Sequence, residues 1–426
     1  MFTIIKKLQQ LNLSCFCSIA TQYGSISNNS SLLIASNKFW NHVCNLHGNS
    51  QQNIGLNSQF HDRHFTVSES FARKMSTDAK HVLFEEVNSK GIVVLNRPEA
   101  LNALTKNMIE IMYPVLKKWE NEKTLVIVKG QGSKSFCAGG DVLSLTDPEK
   151  RGDPTITNFF RSEYMQNHLI GSYQIPYVAF ITGIVMGGGA GISVNGQFRV
   201  ASDKSMFAMP ETAIGLFPDV GGSHFLPRLG GGLGMFLGLT GHRLRGHELV
   251  SAGLATHFCP ASKLDELHSA LLALPSHTKP EHVRELLDTF HESPSDFSLT
   301  PHLKTIKECF TAPTVHQILQ RLAESGDELC RQQLPVIRSA CPTSVALTHE
   351  LLVRGAKLDL AQCLQMEFRV ACRVLEHTDF QEGVRARLRD KDNKPQWKPA
   401  TLEELDIPKT VEKYFAPLPP ELELKL

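Results

Sequence analysis

The chain reads as an α/β protein with a helical C-terminal region, on three observations. Short apolar runs suited to buried strands alternate with stretches of helical period from residue 81 to about residue 210. Three probable strands lead straight into glycine-bearing loops, as strand-turn-helix units do. Beyond about Leu274 the strand signals stop, and helical patterns alternate with polar breaks.

In order, "HVLFEEV" (81–87) and "GIVVLNRP" (91–98) are strands joined by a turn at "NSKG". A helix follows, because Leu101, Leu104, Met108, Ile111, Val115 and Trp119 recur at steps of three or four; Pro114 is expected to kink it. "TLVIVKG", from Thr124, is the next buried strand. After the loop "GSKSFCAGGDV" come a helix over 158–171, the strand "YVAFITGIV", the turn "MGGGAG" with a helix behind it, the strand "FRVAS" and the segment "MFAMPE". "PEHVRELLDTFH", "TVHQILQRLAES", "SVALTHELLVRG" and "CLQMEFRVACRVLE" are the later helices, and the charged end is expected to be mobile. The chain thus divides into a leader (1–78), an α/β core (79–275) and a helical region (276–426).

With 426 residues, 42% apolar and 20% charged, the chain can bury a sizeable core, and a net charge of +1 makes no electrostatic case for a nucleic-acid partner. Ten cysteines without a CxxC pair argue against a disulfide framework or structural zinc, and no metal is expected. A nucleotide-phosphate loop is missing too, since "GQGSKS" has Ser133 where its second glycine should stand. Residues 164–198 lack Asp, Glu, Lys and Arg, but five glycines between 177 and 194, with Pro176, Asn195 and Gln197 beside them, fit a buried strand and turn better than a membrane helix. No acidic residue precedes Asp62, while Lys6, Lys7 and many Ser and Asn do, so the leader reads as an organelle-import segment, against a non-targeting tail of the same composition.

The chemistry is concentrated in three loops: "FCAGGD" (136–141), "MGGGAG" (186–191) and "AMPETAIGLFPDVGG" (208–222). Glycines at a strand end leave backbone N–H groups free and let a ligand approach them, which suits a developing negative oxygen. Ala138, or its neighbour, and Gly188 are the candidate donors of such an oxyanion hole; taken singly, these glycines could serve close packing alone. The third loop sets Glu211 and Asp219 among Phe207, Met209, Pro210, Leu216, Phe217 and Pro218. Such surroundings desolvate a carboxylate and raise its pKa toward neutrality, where it makes a useful base. Taken alone, each acid could equally be a helix cap or a turn residue.

These strings resemble the crotonase superfamily of acyl-CoA enzymes: "LNRPEALNAL", "KSFCAGGDV", "IPYVAFITGIVMGGGAGISV", "FAMPETAIGLFPDVGGSHFLPRLGG" and "LTGHRLRGHELVSAGLATHF" fall in family order. The resemblance is closest to the branch that hydrolyses short hydroxyacyl-CoA thioesters, and continues through "CPTSVALTHELLVRG" and "DFQEGVRARLRDKDNKPQWKP". It implies a spiral of ββα units with helices covering the acyl pocket, and an acyl-CoA substrate with no further cofactor. Ala138 and Gly188 would form the oxyanion hole, Glu211 would be base or nucleophile, Asp219 would orient the attacking group, and Glu163 in "RSEYM" would contact the acyl end. It also implies a mitochondrial matrix enzyme and, since relatives often form trimers or hexamers, self-association.

Hydratases of this superfamily carry a second glutamate three residues after the middle glycine of the turn. Here that position is Gly191, which disfavours hydration of an enoyl-CoA. An α/β-hydrolase elbow is a poorer match, because "GISVN" ends on Asn195 instead of glycine. Relatives that serve as non-catalytic subunits of mitochondrial ribosomes form a third alternative, against which Glu163, Glu211 and Asp219 are all retained.

Overall fold

A computed structural model describes residues 80–147, 149, 152–293 and 296–426. The leader expected over 1–78 lies outside the described residues. Strands β1 (Val82–Val87) and β2 (Lys90–Leu95) form the first hairpin, antiparallel, with Val87 opposite Lys90. The chain then passes between two sheets, alternating from β3 to β8. β3 (Leu125–Gly130) is followed by β4 (Ser135–Cys137), β5 (Tyr177–Phe180) by β6 (Ile184–Met186), β7 (Phe198–Ala201) by β8 (Met206–Ala208), and β9 (Leu244–Arg245) by β10 (His257–Phe258).

The larger sheet runs β1-β2-β3-β5-β7-β10 and the smaller β4-β6-β8-β9. This is the spiral that the resemblance implies. Leu125 and Ile127 of β3 face one apolar cluster while Val126 and Val128 face the other, so the large sheet is covered on both sides, as parallel sheets are. Helices Leu264–Ala273 and Pro280–Phe290 cover the outer side with Leu267, Leu271, Val283 and Leu287.

"YVAFITGIV" is therefore two strands in different sheets and not one. The break is at Gly183, with φ +84°, where a Cβ would stand 2.5 Å from the Lys134 carbonyl oxygen. Helix α1 (Lys106–Glu122) buries Met108, Ile109, Met112, Leu116 and Trp119, and starts later than its pattern because Leu101 and Asn102 take positive φ and the Leu104 N–H pairs with Gly139. Helix α2 (Pro154–Gly171) starts earlier than expected, on an Asp153 cap that accepts from the Thr155 N–H. The helix after the glycine turn, α3 (Gly188–Gly191), is a single turn.

Later come α4 (Gly222–Phe225), α5 (Pro342–Gly355), α6 (Leu360–Glu376), α7 (Asp379–Val384) and α8 (Ile407–Phe415). The charged end, expected to be mobile, instead docks: Tyr414, Phe415 and Leu424 are buried, and Arg161 of α2 donates to the carbonyls of Leu422 and Glu423. Among the described residues no helix is long and apolar enough to cross a membrane.

Candidate active site

Strands β4, β6 and β8 lie side by side and parallel, with Cys137 opposite Val185 and Met186 opposite Ala208. Their C-terminal ends therefore release three loops at one edge of the small sheet, where open parallel sheets place ligand sites. The loops and α2 enclose a cavity of about 200 Å³ that brings together all five residues singled out from the sequence: Ala138, Glu163, Gly188, Glu211 and Asp219. Val142, Leu145, Phe159, Phe160, Ile214, Leu216 and Leu388 make the rest of its wall mostly apolar.

The glycine loops leave donors beside this space. Gly188 opens α3, and its N–H, like those of Gly139 and Gly140, has no oxygen acceptor among the described residues. A Cβ on Gly188 would collide with Glu163 Oε1, so a side chain there would displace that carboxyl. The expected role of Ala138 is corrected. Ala138 lines the cavity, but its N–H is spent on the Leu101 carbonyl, 3.1 Å away, because the chain around Leu101 runs alongside the end of β4. The donor from this loop moves to Gly139 or Gly140. Neighbouring Cys137 is no nucleophile, since burial pushes its thiol up to about 12.

Three carboxyls face one another in the cavity. Glu163 and Glu211 are buried, and burial first, then the Asp219 charge, raises both well above the ordinary 4.5. Asp219 is raised less, from 3.8 to about 7, because the Tyr164 hydroxyl donates to its Oδ2 at 2.8 Å and offsets part of the desolvation. Glu163 Oε1 and Glu211 Oε2 have no hydrogen-bond partner. Burial disfavours ionising three such neighbouring acids together, and Asp219, which accepts from the Tyr164 hydroxyl, is the one whose charge is best supported.

Tyr164 was not singled out from the sequence, although it follows Glu163 directly. Its ring is fully buried, with its edge against Phe368 of α6 at 6.3 Å. Glu367 was missed as well; its signal was a lone acid at the helical spacing of Cys363, Leu364, Ala371 and Val374, on the buried face of "CLQMEFRVACRVLE". Gly191 stands where a hydratase carries its second glutamate. A Cβ there would lie 2.7 Å from both Asn167 Nδ2 and Val220 Cβ, which leaves no room for an acid.

The family model for enoyl-CoA hydratase/isomerase matches residues 90–415. The 3-hydroxyisobutyryl-CoA hydrolase, mitochondrial, of Homo sapiens is 50% identical over 339 residues, which is 78% of this chain and 88% of that protein. The protein of the same name from Danio rerio is 46% identical over 360 residues, 83% of this chain and 94% of that one. Among solved structures, a carnitinyl-CoA dehydratase from Mycobacterium thermoresistibile superposes with a TM-score of 0.75 at 36% identity, over 81% of this chain and 98% of that one. An enoyl-CoA hydratase from Rhodobacter sphaeroides 2.4.1 gives 0.73 at 34% identity, over 81% and 100%.

Proposed function

Because the chain belongs to the enoyl-CoA hydratase/isomerase family, we propose that its cavity cleaves the thioester of 3-hydroxyisobutyryl-CoA to the free hydroxy acid and CoA. The protein is an acyl-CoA thioester hydrolase, as the relatives named 3-hydroxyisobutyryl-CoA hydrolase are. The observation that carries the reading is the pairing of Glu211 and Asp219 beside the free Gly188 N–H, with glycine in place of the second hydratase glutamate.

A thioester carbonyl has little resonance to lose, so its hydrolysis depends mainly on stabilising the oxyanion and delivering a nucleophile. The Gly188 N–H and that of Gly139 or Gly140 receive the carbonyl oxygen. Glu211 begins protonated and Asp219 ionised; passing the Glu211 proton to Asp219 frees Glu211 as the base. Glu211 then takes a proton from water while the hydroxide adds to the carbonyl carbon. As the tetrahedral intermediate collapses, the C–S bond breaks and protonated Asp219 returns its proton to the leaving thiolate. Both carboxyls end as they began. Glu163 receives the hydroxyl at the acyl end. The same donors serve a route in which Glu211 attacks directly and forms an anhydride, and ¹⁸O found in Glu211 after a single turnover in ¹⁸O-water identifies that route, since only water attack on the glutamyl carbonyl of an anhydride places it there.

The relatives are named mitochondrial, and the acid-poor leader fits import to the matrix, where this reaction belongs to valine breakdown. No cofactor beyond the CoA of the substrate is needed. The test is the purified protein against a panel of short hydroxyacyl-CoA and enoyl-CoA esters, with free thiol and product acid measured together. Thiol release from 3-hydroxyisobutyryl-CoA is the expected result. Hydration of an enoyl-CoA without thiol release would return the assignment to the hydratases.

A further inference from the structure

Asp219 sits at the start of an unusual turn. The next two residues are both left-handed, Val220 with φ +54° and Gly221 with φ +90°. Glycine accepts this at no steric cost, but a β-branched residue resists it, and such backbone persists only where its surroundings hold it. A smaller or more pliant residue at 220 would remove the strain. Val220 is instead fully buried, and its Cβ fills the space beside Gly191.

The turn is held from outside the cavity. Glu367, fully buried on α6, accepts from the Gly221 N–H on Oε2 at 2.8 Å. On Oε1 it accepts from the Ser223 N–H at 2.9 Å and the Ser223 hydroxyl at 2.6 Å. The Val220 carbonyl accepts from Asn195 Nδ2 at 2.9 Å, and the Gly222 N–H closes the turn onto the Asp219 carbonyl at 2.7 Å. Glu367 does not line the cavity and so does not touch substrate. Its neighbour Phe368 packs on Tyr164, whose hydroxyl fixes the Asp219 carboxylate. Two consecutive residues of one helix thus support the backbone and the side chain of the same acid.

We infer that Glu367 is a positioning residue for the reaction: it holds the 219–223 turn in the left-handed form that aims Asp219 at Glu211. The chemistry of the contact explains why an acid stands there. Both sides of the turn present N–H donors, so the partner must accept on both oxygens. A carboxylate does so, whereas the amide of a glutamine accepts on one side and sets an NH₂ against an N–H on the other. Burial raises the Glu367 carboxyl and these bonds favour its ionised form, offsetting part of the rise; an apolar residue there would leave the Gly221 and Ser223 N–H groups buried without an acceptor.

The inference rests on the hydrolase reading for its kinetic readout, so wild-type thiol release is measured first and the crystal structures of the variants give a second, independent readout. In E367Q the expected result is a kcat lower by about 30-fold, with KM for 3-hydroxyisobutyryl-CoA within about 3-fold, because the lost aim acts on the chemical step. The E367Q structure should show Val220 relaxed to negative φ and Asp219 turned from Glu211, a result that holds whether or not the substrate assignment survives. Adding V220G, which removes the strain, should recover about 5-fold or more of the lost kcat, a coupling that independent sites do not show. If E367Q fails to fold, S223A takes its place, removing one bond from the clamp, with kcat expected to fall about 3-fold or more. Retention of the left-handed turn in the variant, or wild-type kcat with only a lower Tm, would overturn the inference.

Discussion

The molecule buries acids in two settings, and the contrast between them separates support from chemistry. Outside the cavity, Glu367 accepts three hydrogen bonds, and Asp379 accepts from the Lys398 N–H at 3.0 Å and the Cys341 thiol at 3.3 Å. Inside it, Glu163 Oε1 and Glu211 Oε2 have no partner. A buried polar atom without a partner costs about 1–3 kcal/mol, and a fold keeps one where a ligand will supply the missing bond. Satisfied acids therefore mark the frame, and unsatisfied ones mark the site.

The sharpest way to break this contrast is at Glu211. Glu211→Gln should lower kcat by about 100-fold or more while the far-UV spectrum and Tm hold, as loss of a positioned base does. Wild-type turnover in that variant would remove the role. Next is Tyr164→Phe, which deletes the side-chain hydrogen bond that favours ionised Asp219. Because the proposed route needs Asp219 ionised to take the Glu211 proton, kcat is expected to rise with pH through a limb near 7. In Y164F that limb should move to higher pH and kcat at neutrality should fall about 10-fold; an unmoved pH profile would detach Tyr164 from Asp219.

Stability sharpens the comparison further. The folded pKa of Asp219 lies above its ordinary 3.8, so its contribution to stability is complete below that value and is lost as pH rises through about 7. Asp219→Asn carries no such loss, and should melt above wild type at pH 8 and equal to it or below at pH 4, while being nearly inactive. Burial raises the Asp379 carboxyl too, so it shares that pH sense; Asp379→Asn differs in giving up a satisfied contact, and should lose about 1–3 kcal/mol at pH 4 and less at pH 8, with kcat within about 3-fold of wild type. Urea melts of both at the two pH values decide it; a stabilised D379N or a destabilised D219N at pH 8 would erase the distinction. At Glu163 the effect is expected on binding alone, where Gln should raise KM about 3-fold for a hydroxyacyl ester and leave the ester lacking the hydroxyl unaffected.

Much of this site was legible in the sequence because its parts are local. A run of glycines announces bare backbone, an acid among Phe, Met and Pro announces desolvation, and Gly191 announces the missing glutamate. Other features were hidden because they depend on which chain segments run side by side. Ala138 looked like the donor, but the Leu101 carbonyl reaches it across 37 residues of chain and shifts the free N–H groups to Gly139 and Gly140. Tyr164 lies 55 residues from the carboxylate it serves and Glu367 146 residues from the Gly221 N–H it accepts, so neither spacing carries a local signal.

The sequence by itself determined the α/β class, the family and the identity of the acids, since apolar period, glycine placement and residue type act within a few positions along the chain. Only the tertiary structure decided which amides remain unpaired, which carboxyl has a hydroxyl donor to support its charge and what keeps Asp219 in place. Those outcomes follow from hydrogen bonds and burial between segments far apart in sequence, and a free N–H or a raised pKa exists only once the fold has settled every competing partner.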